Sequence, residues 1–284
     1  MSISLQTNLA SMNISGRFTE TSAKLNDTLS RLASGLRITK PGDDPAGNQI
    51  ADALKADAQI ANMAVQNANT ALSFTSIADA ALSGISGLLT RMGELAEQSA
   101  NGVYANSQRS ALANEFQALG SEIQRIAKTT EFNGVPLLSN SQAITIQVGL
   151  DGGANSRIEM NPITGTLQSL GLASSDQLSY SIIAGNDLQS LSSARLALDA
   201  VKGALGSLNA TRGSLGATES RLATAVNYLQ SVREQFIAAE SRIRDADIAA
   251  EVAEMVRLQV LQQAQASVLG QANQQVSVAL ALLR

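Results

Sequence analysis

Carboxylates in pairs are the first candidates for chemistry in this chain. Asp43 stands beside Asp44, and Asp245 lies two residues before Asp247. Two carboxylates held at different pKa values can divide general-acid and general-base work. A second candidate is Asp151-Gly152-Gly153 with Asn155, whose oxygens would suit a hard cation. Neither goes far. The paired aspartates sit in turn-like sequence, KPGDDPAG and RIRDAD, where capping a helix is the ordinary role. The Asp151 segment lacks the full set of oxygens at calcium-loop spacing and reads as a hairpin turn. No G-x-x-x-x-G-K-S/T phosphate loop is present. His and Cys are both absent. That removes imidazole acid–base catalysis, Ser-His-Asp and Cys-His nucleophiles, thiolate metal sites and disulfides. No catalytic residue, cofactor or metal is expected, and the enzyme reading has no constellation behind it.

The remaining residue types favour helices over chemistry. Hydrophobic residues make up 44% of the 284, but aromatics only 3%, with no Trp. A core would have to be built from Leu, Ile, Val and Ala, which suits long helices packed side by side. Pro occurs four times, so few positions force a helix to stop. Net charge is −4 and the pI is near 5.0, which argues against phosphate-driven nucleic-acid binding. Every window of about 18 residues carries charge or polar groups, so no membrane span is expected. Met1 to Ala10 has no basic residue, unlike a cleaved secretory signal. The expected location is the cytosol, or outside the cell by a dedicated export route.

Apolar spacing divides the chain into helical stretches. Leu25, Leu29, Leu32 and Leu36 recur by four, three and four. Leu5, Leu9 and Met12 step in another phase, so a break or register shift is expected near Asn13 to Gly16. After the turn at KPGDDPAG, Asp44 is placed to cap a helix with Pro45 at its first position. Leu54, Ala58, Ala61, Val65, Ala68 and Leu72 lead into Leu82, Ile85, Leu89 and Met92. A helix from about 45 to 100 would be roughly 80 Å long and needs a partner along its length. Leu112, Phe116, Leu119, Ile123 and Ile126 form another stripe, ended by an Asn-Gly turn at Asn133-Gly134. Between about 138 and 187 the pattern changes. Ile144, Ile146 and Val148 alternate as in a strand, Ile158 and Met160 could return, and Tyr180, Ile182 and Ile183 could add a short strand.

Helix resumes at about 188. Leu208, Leu215, Leu222, Leu229, Phe236 and Ile243 recur every seven residues, the mark of a supercoiled helix, and form the expected bundle core. A last stripe runs through Ile248, Val252, Met255, Gln259, Gln262, Ala266, Leu269, Asn273, Val276, Leu280 and Leu283. Its amides fit either pairing across a tight helix contact or a partly solvated helix. The predicted fold is mainly α. Long coiled-coil helices from both termini form an elongated rod, with a small β-hairpin region in the middle.

The ends of the chain resemble bacterial flagellins. Leu25 to Ile38 reads LNDTLSRLASGLRI, and Asp43 to Gly47 reads DDPAG. Arg91 to Gly102 reads RMGELAEQSANG, and Thr130 to Val135 reads TEFNGV. Near the other end come SRIRDAD at Ser241 to Asp247, LQQAQASVL at Leu261 to Leu269, and the closing LALLR. Together these cover about 1–138 and 188–284. The resemblance implies three parts. Residues 1–42 with 245–284 would be a terminal helical pair, the innermost filament domain. Residues 43–138 with 188–244 would be a helical bundle, and 139–187 its hairpin and loop segment. With so short a middle, large outer domains would be missing.

The function implied is a structural subunit that polymerises into the flagellar filament for swimming motility. Filament-core packing would fall on Leu5, Leu9, Leu25, Leu29, Leu32, Val252, Met255, Leu269, Val276, Leu280 and Leu283. The implied partners are other copies of the chain, the flagellar cap, hook–filament junction proteins and a secretion chaperone on the C-terminal helix. Export would run through the flagellar type III apparatus with no cleaved signal peptide, placing the protein outside the cell. By alignment on ELAEQSANG and FNGV, the family's recognition by Toll-like receptor 5 would involve Arg91, Leu95 and Glu115. Gly93 and Glu97 depart from the family pattern there. Two alternatives share these ends. One is a hook–filament junction protein. The other is a flagellin-like surface binding protein with a pocket in 138–187, where Tyr180 alone could stack on a sugar.

Overall fold

A computed structural model of the chain describes residues 8–174, 176–180 and 191–282, with side chains through residue 274. Five helices carry it: α1 (Leu9–Ser34), α2 (Pro45–Ser99), α3 (Asn106–Thr129), α4 (Leu191–Arg244) and α5 (Ile248–Leu282). Two short antiparallel ribbons lie between α3 and α4: β1 (Glu131–Phe132) with β2 (Val135–Pro136), and β3 (Ile144–Gln147) with β4 (Arg157–Met160). Contacts group the chain into two units, 1–58 with 234–284 and 59–233. These boundaries fall inside α2 and α4, further along both helices than the 42/43 and 244/245 limits expected. Arg244 shows why. Its guanidinium donates to Asn48 at 3.0 Å and to Asp52 at 2.9 Å, tying the end of α4 and the start of α2 into the terminal unit.

In the terminal unit, local signals set the helix ends. Asn8 caps α1 by accepting from the Ser11 N–H at 3.1 Å. Gly35 ends it in the left-handed region at φ 72°. α1 is continuous through Asn13 to Gly16, so the break expected there is not observed. The change of apolar phase leaves Leu9 and Met12 each 66% exposed instead of bending the helix. α1 and α5 pack antiparallel. Asn8 donates to the Ala272 carbonyl at 3.1 Å, Ser22 accepts from Gln262 at 3.0 Å, and Arg31 lies 3.5 Å from Glu251. Two of the three amides in the last stripe take the pairing role, Gln262 and Asn273, which accepts from Ser11 at 2.9 Å, while Gln259 is exposed. The two linkers also join. Leu36 bridges Asp245, Arg37 N–H donates to the Arg244 carbonyl at 2.6 Å, and Ala246 N–H donates to Gly35 at 2.9 Å.

In the second unit, Leu82, Ile85, Leu89, Met92 and Leu95 of α2 share one core with Phe116 and Ile123 of α3 and Val201, Leu208, Leu215, Leu222 and Leu229 of α4. Asp79 and Arg212 pair between α2 and α4 at 2.9 Å, and Arg233 donates to Asn62 at 3.0 Å. The ribbons cover this core with Ile146, Ile158 and Met160. Asn133 and Gly134 both have positive φ, 50° and 76°, which gives the two-residue turn between β1 and β2 its mirror-image twist. Gly120 lets the segment after β4 lie against α3, since a Cβ there would stand 2.1 Å from Leu178 Cδ1. Tyr180 lies outside any strand. Ile182 and Ile183 lie outside the described residues.

By length and a mean hydropathy of 1.3, part of α2 could cross a bilayer. The inward face of that stretch is instead buried in the protein core, through Phe74, Ala78, Leu82, Ile85 and Leu89. Within its most apolar stretch Asp79 carries a charge and pairs with Arg212 of α4 at 2.9 Å, where lipid would offer no such partner.

Candidate functional site: an apolar assembly surface

The carboxylates considered for catalysis are engaged in turns and caps. Asp43 accepts from the N–H groups of Thr39 and Lys40 at 3.1 and 3.0 Å, and these bonds hold its carboxyl below the usual carboxylate range. Asp44 accepts from Gly47 N–H at 2.9 Å and so caps α2. Asp247 caps α5, accepting from Ala249 and Ala250 at 2.9 and 3.2 Å. Asp245 accepts from the Ser241 hydroxyl at 2.6 Å. Asp151 accepts from the Ser156 hydroxyl, which lowers its pKa, and from Gly153 N–H at 3.1 Å. It is the hairpin turn. Among the described residues, no group of three or more acidic side chains could hold a metal ion.

The conspicuous surface is apolar and belongs to the terminal unit. In α1, Leu25 is buried against α5 and Leu32 is half-buried, while Leu9 and Leu29 are exposed. In α5, Leu258 and Ala272 are buried and Met255 and Leu269 half-buried, but Val252 is exposed. The residues facing α1 therefore run Glu251, Met255, Leu258, Gln262, Gln265, Leu269 and Ala272. Ile248, Val256, Val260, Leu261 and Val268 stay in solvent, with Val260 59% exposed. The periodicity picked out only part of this set. α5 is apolar on more than one side, so spacing alone could not say which side meets α1. Residues Leu5 and Leu283 lie outside the described residues. Val276 and Leu280 lie in α5, but their side chains do too. The charges beside the apolar rows are paired: Glu254, its pKa lowered by hydrogen bonding from Arg257, and Lys40 with Asp27 at 2.9 Å.

Four heptad leucines, Leu208, Leu215, Leu222 and Leu229, are in the core of the second unit. Phe236 and Ile243 continue the register into the terminal unit and are half-buried there. Of the three residues aligned on receptor recognition, Arg91 donates to Glu115 at 2.9 Å and to Glu94 at 3.0 Å, with both partners exposed. Leu95 is 0% exposed, so its side chain serves the core and offers nothing to a docking partner in this conformation.

Residues 5–143 match the family described as bacterial flagellin N-terminal helical region, and residues 198–283 match the bacterial flagellin C-terminal helical region. A flagellin from Halalkalibacterium halodurans is 36% identical over 257 residues, which cover 90% of this chain and 90% of the relative. A flagellin from Bacillus subtilis is 31% identical over 301 residues, covering 98% of each. Among solved structures, a putative flagellar hook-associated protein from Vibrio parahaemolyticus has a TM-score of 0.60 over 72% of this chain and 100% of that one. At 14% identity it speaks to the fold alone. Matches at both helical ends, and named relatives spanning nearly the full length at over 30% identity, place this chain in the bacterial flagellin family, the structural subunits of the flagellar filament.

Proposed function

We infer that copies of this chain polymerise into the bacterial flagellar filament, an extracellular appendage, through the apolar surface of the terminal unit. The observation that carries this reading is the exposed row of Leu9, Met12, Ile248, Val252, Val256, Val260 and Val268. So much apolar side chain is costly to leave in water. A contact between different patches of successive copies does not close on itself and builds a helical polymer. The role is mechanical, and the carboxylates serve caps and turns. The test is to add sheared filament seeds to purified monomer and look by negative-stain electron microscopy. Long uniform filaments are expected. Persistent monomers, with folding verified by circular dichroism, would overturn the reading.

The proposed partners are those that the resemblance implies. The flagellar cap and hook–filament junction proteins contact the ends of the polymer. A secretion chaperone covers Ile248 to Arg284 before export, which shields the same apolar face. Export proceeds without a cleaved signal. Intact-mass measurement of secreted protein checks this, and loss of an N-terminal segment would refute it. Toll-like receptor 5 recognition rests on the exposed Arg91 and Glu115 pair. Binding of the receptor ectodomain should weaken in Arg91→Ala. Equal binding would remove this pair from the contact.

A further inference from the structure

Asn-Gly occurs twice in the chain, at Asn101-Gly102 and at Asn133-Gly134. Glycine has no Cβ, so its backbone nitrogen can approach the side-chain carbon of the asparagine before it. The two sites are built differently. Asn101-Gly102 lies in the exposed turn between α2 and α3, followed by Val103 at 80% exposure. Two donors converge on it. Val103 N–H donates to Asn101 Oδ1 at 3.2 Å, folding the side chain back over the Gly102 peptide. Arg109 Nη2, from a side chain that is itself buried, donates to the Asn101 backbone carbonyl at 3.1 Å. That carbonyl belongs to the same peptide group as the Gly102 nitrogen.

We propose that this turn is a built self-modification site, in which the fold promotes deamidation of Asn101 to aspartate and isoaspartate. Hydroxide removes the proton from Gly102 N. The resulting negative charge is shared with the Asn101 carbonyl oxygen, where the Arg109 guanidinium stabilises it. The nitrogen attacks Cγ of Asn101, whose side chain the Val103 hydrogen bond holds against this turn. Negative charge then develops on Oδ1, and Val103 N–H is in place to receive it, as donors do for an acyl-transfer oxyanion. The Cγ–Nδ2 bond breaks, and the nitrogen leaves as ammonia with a proton from water. A five-membered imide remains. Water opens it at either carbonyl, giving aspartate or isoaspartate with no change of oxidation state. The new carboxylate lies beside Arg109 and just before the N-terminus of α3, both favourable to negative charge.

Asn133 is the contrast within the same chain. Asn133 and Gly134 are both left-handed and held between paired strands, with Leu137 N–H donating to Thr130 at 3.0 Å. Closing the imide needs Cβ and the glycine nitrogen nearly eclipsed about the Cα–C bond. That rotation would break the two-residue turn.

The test uses full-length monomer aged in mildly alkaline buffer, native and in denaturant, with peptide mapping by mass spectrometry. In denaturant the two asparagines should convert at similar rates. In the native chain Asn101 should convert several-fold faster than when denatured, and Asn133 slower. Native Asn101 converting more slowly than denatured Asn101 would overturn the proposal. In Arg109→Met, conversion at Asn101 should slow by about tenfold, the low end for losing one hydrogen bond to a charged group, while Asn133 is unchanged. An unchanged Asn101 rate in a variant with a wild-type melting curve would remove Arg109 from the site.

Discussion

Asp44 and Asp247 open α2 and α5 in the same way, each accepting from backbone N–H groups of the first helical turn. Asp44→Ala should therefore lower stability by about 1 kcal/mol, read as a lower midpoint in urea. An unchanged midpoint would mean that Pro45 alone sets the helix start. Asp43 makes a different prediction. Its folded pKa lies below the ordinary value because Lys40 and Thr39 donate to it. The stabilisation is thus present above the unfolded pKa and is lost as pH falls through the folded one. Wild type and Asp43→Asn should differ at neutral pH and converge on acidification, and parallel curves across that range would refute the role. These capping roles were legible because Asp-Pro and Arg-Asp-Ala-Asp carry turn chemistry in their residue types. Leu95 was not legible in this sense. Alignment gave it a place in a motif, and only packing shows that its side chain is buried.

Helices are where spacing spoke most clearly. The seven-residue repeat of leucines predicts the buried face of α4, and Leu208, Leu215, Leu222 and Leu229 lie in the core. Leu229→Asp places a charge there with no partner, so the cooperative unfolding of the second unit should be lost or shifted by several kcal/mol. An unaltered thermal melt would mean that the face is misassigned. Spacing failed where a helix has two apolar sides. On α5 the expected stripe mixed residues that meet α1, such as Met255 and Leu269, with residues left in solvent, such as Ile248 and Val252. It also failed at Asn13 to Gly16, where a change of phase points to a break or register shift and the helix is continuous. Backbone hydrogen bonding carries α1 straight through, because Gly16 costs only about 1 kcal/mol in a long helix.

At the scale of the molecule, exposed apolar side chains follow one another turn by turn along α5 of the terminal unit, at Ile248, Val252, Val256 and Val260. Val260→Asp should therefore block filament growth while leaving the thermal transition of the second unit in place, since Val260 is 59% exposed and outside the second unit's core. Normal filaments from this variant, seen by electron microscopy, would move the assembly contact elsewhere. The joined linkers have a separate consequence. Arg37 meets Ile243 across 206 positions of sequence, and Asn8 meets Ala272 across 264. A chain cut short before α5 would leave α1 with no partner for its buried face, and helices in proteins take most of their stability from such packing. Such a fragment could not form the terminal unit at all. The architecture thus acts as a length gauge: only a chain read through α5 can pair α1 and complete the terminal unit.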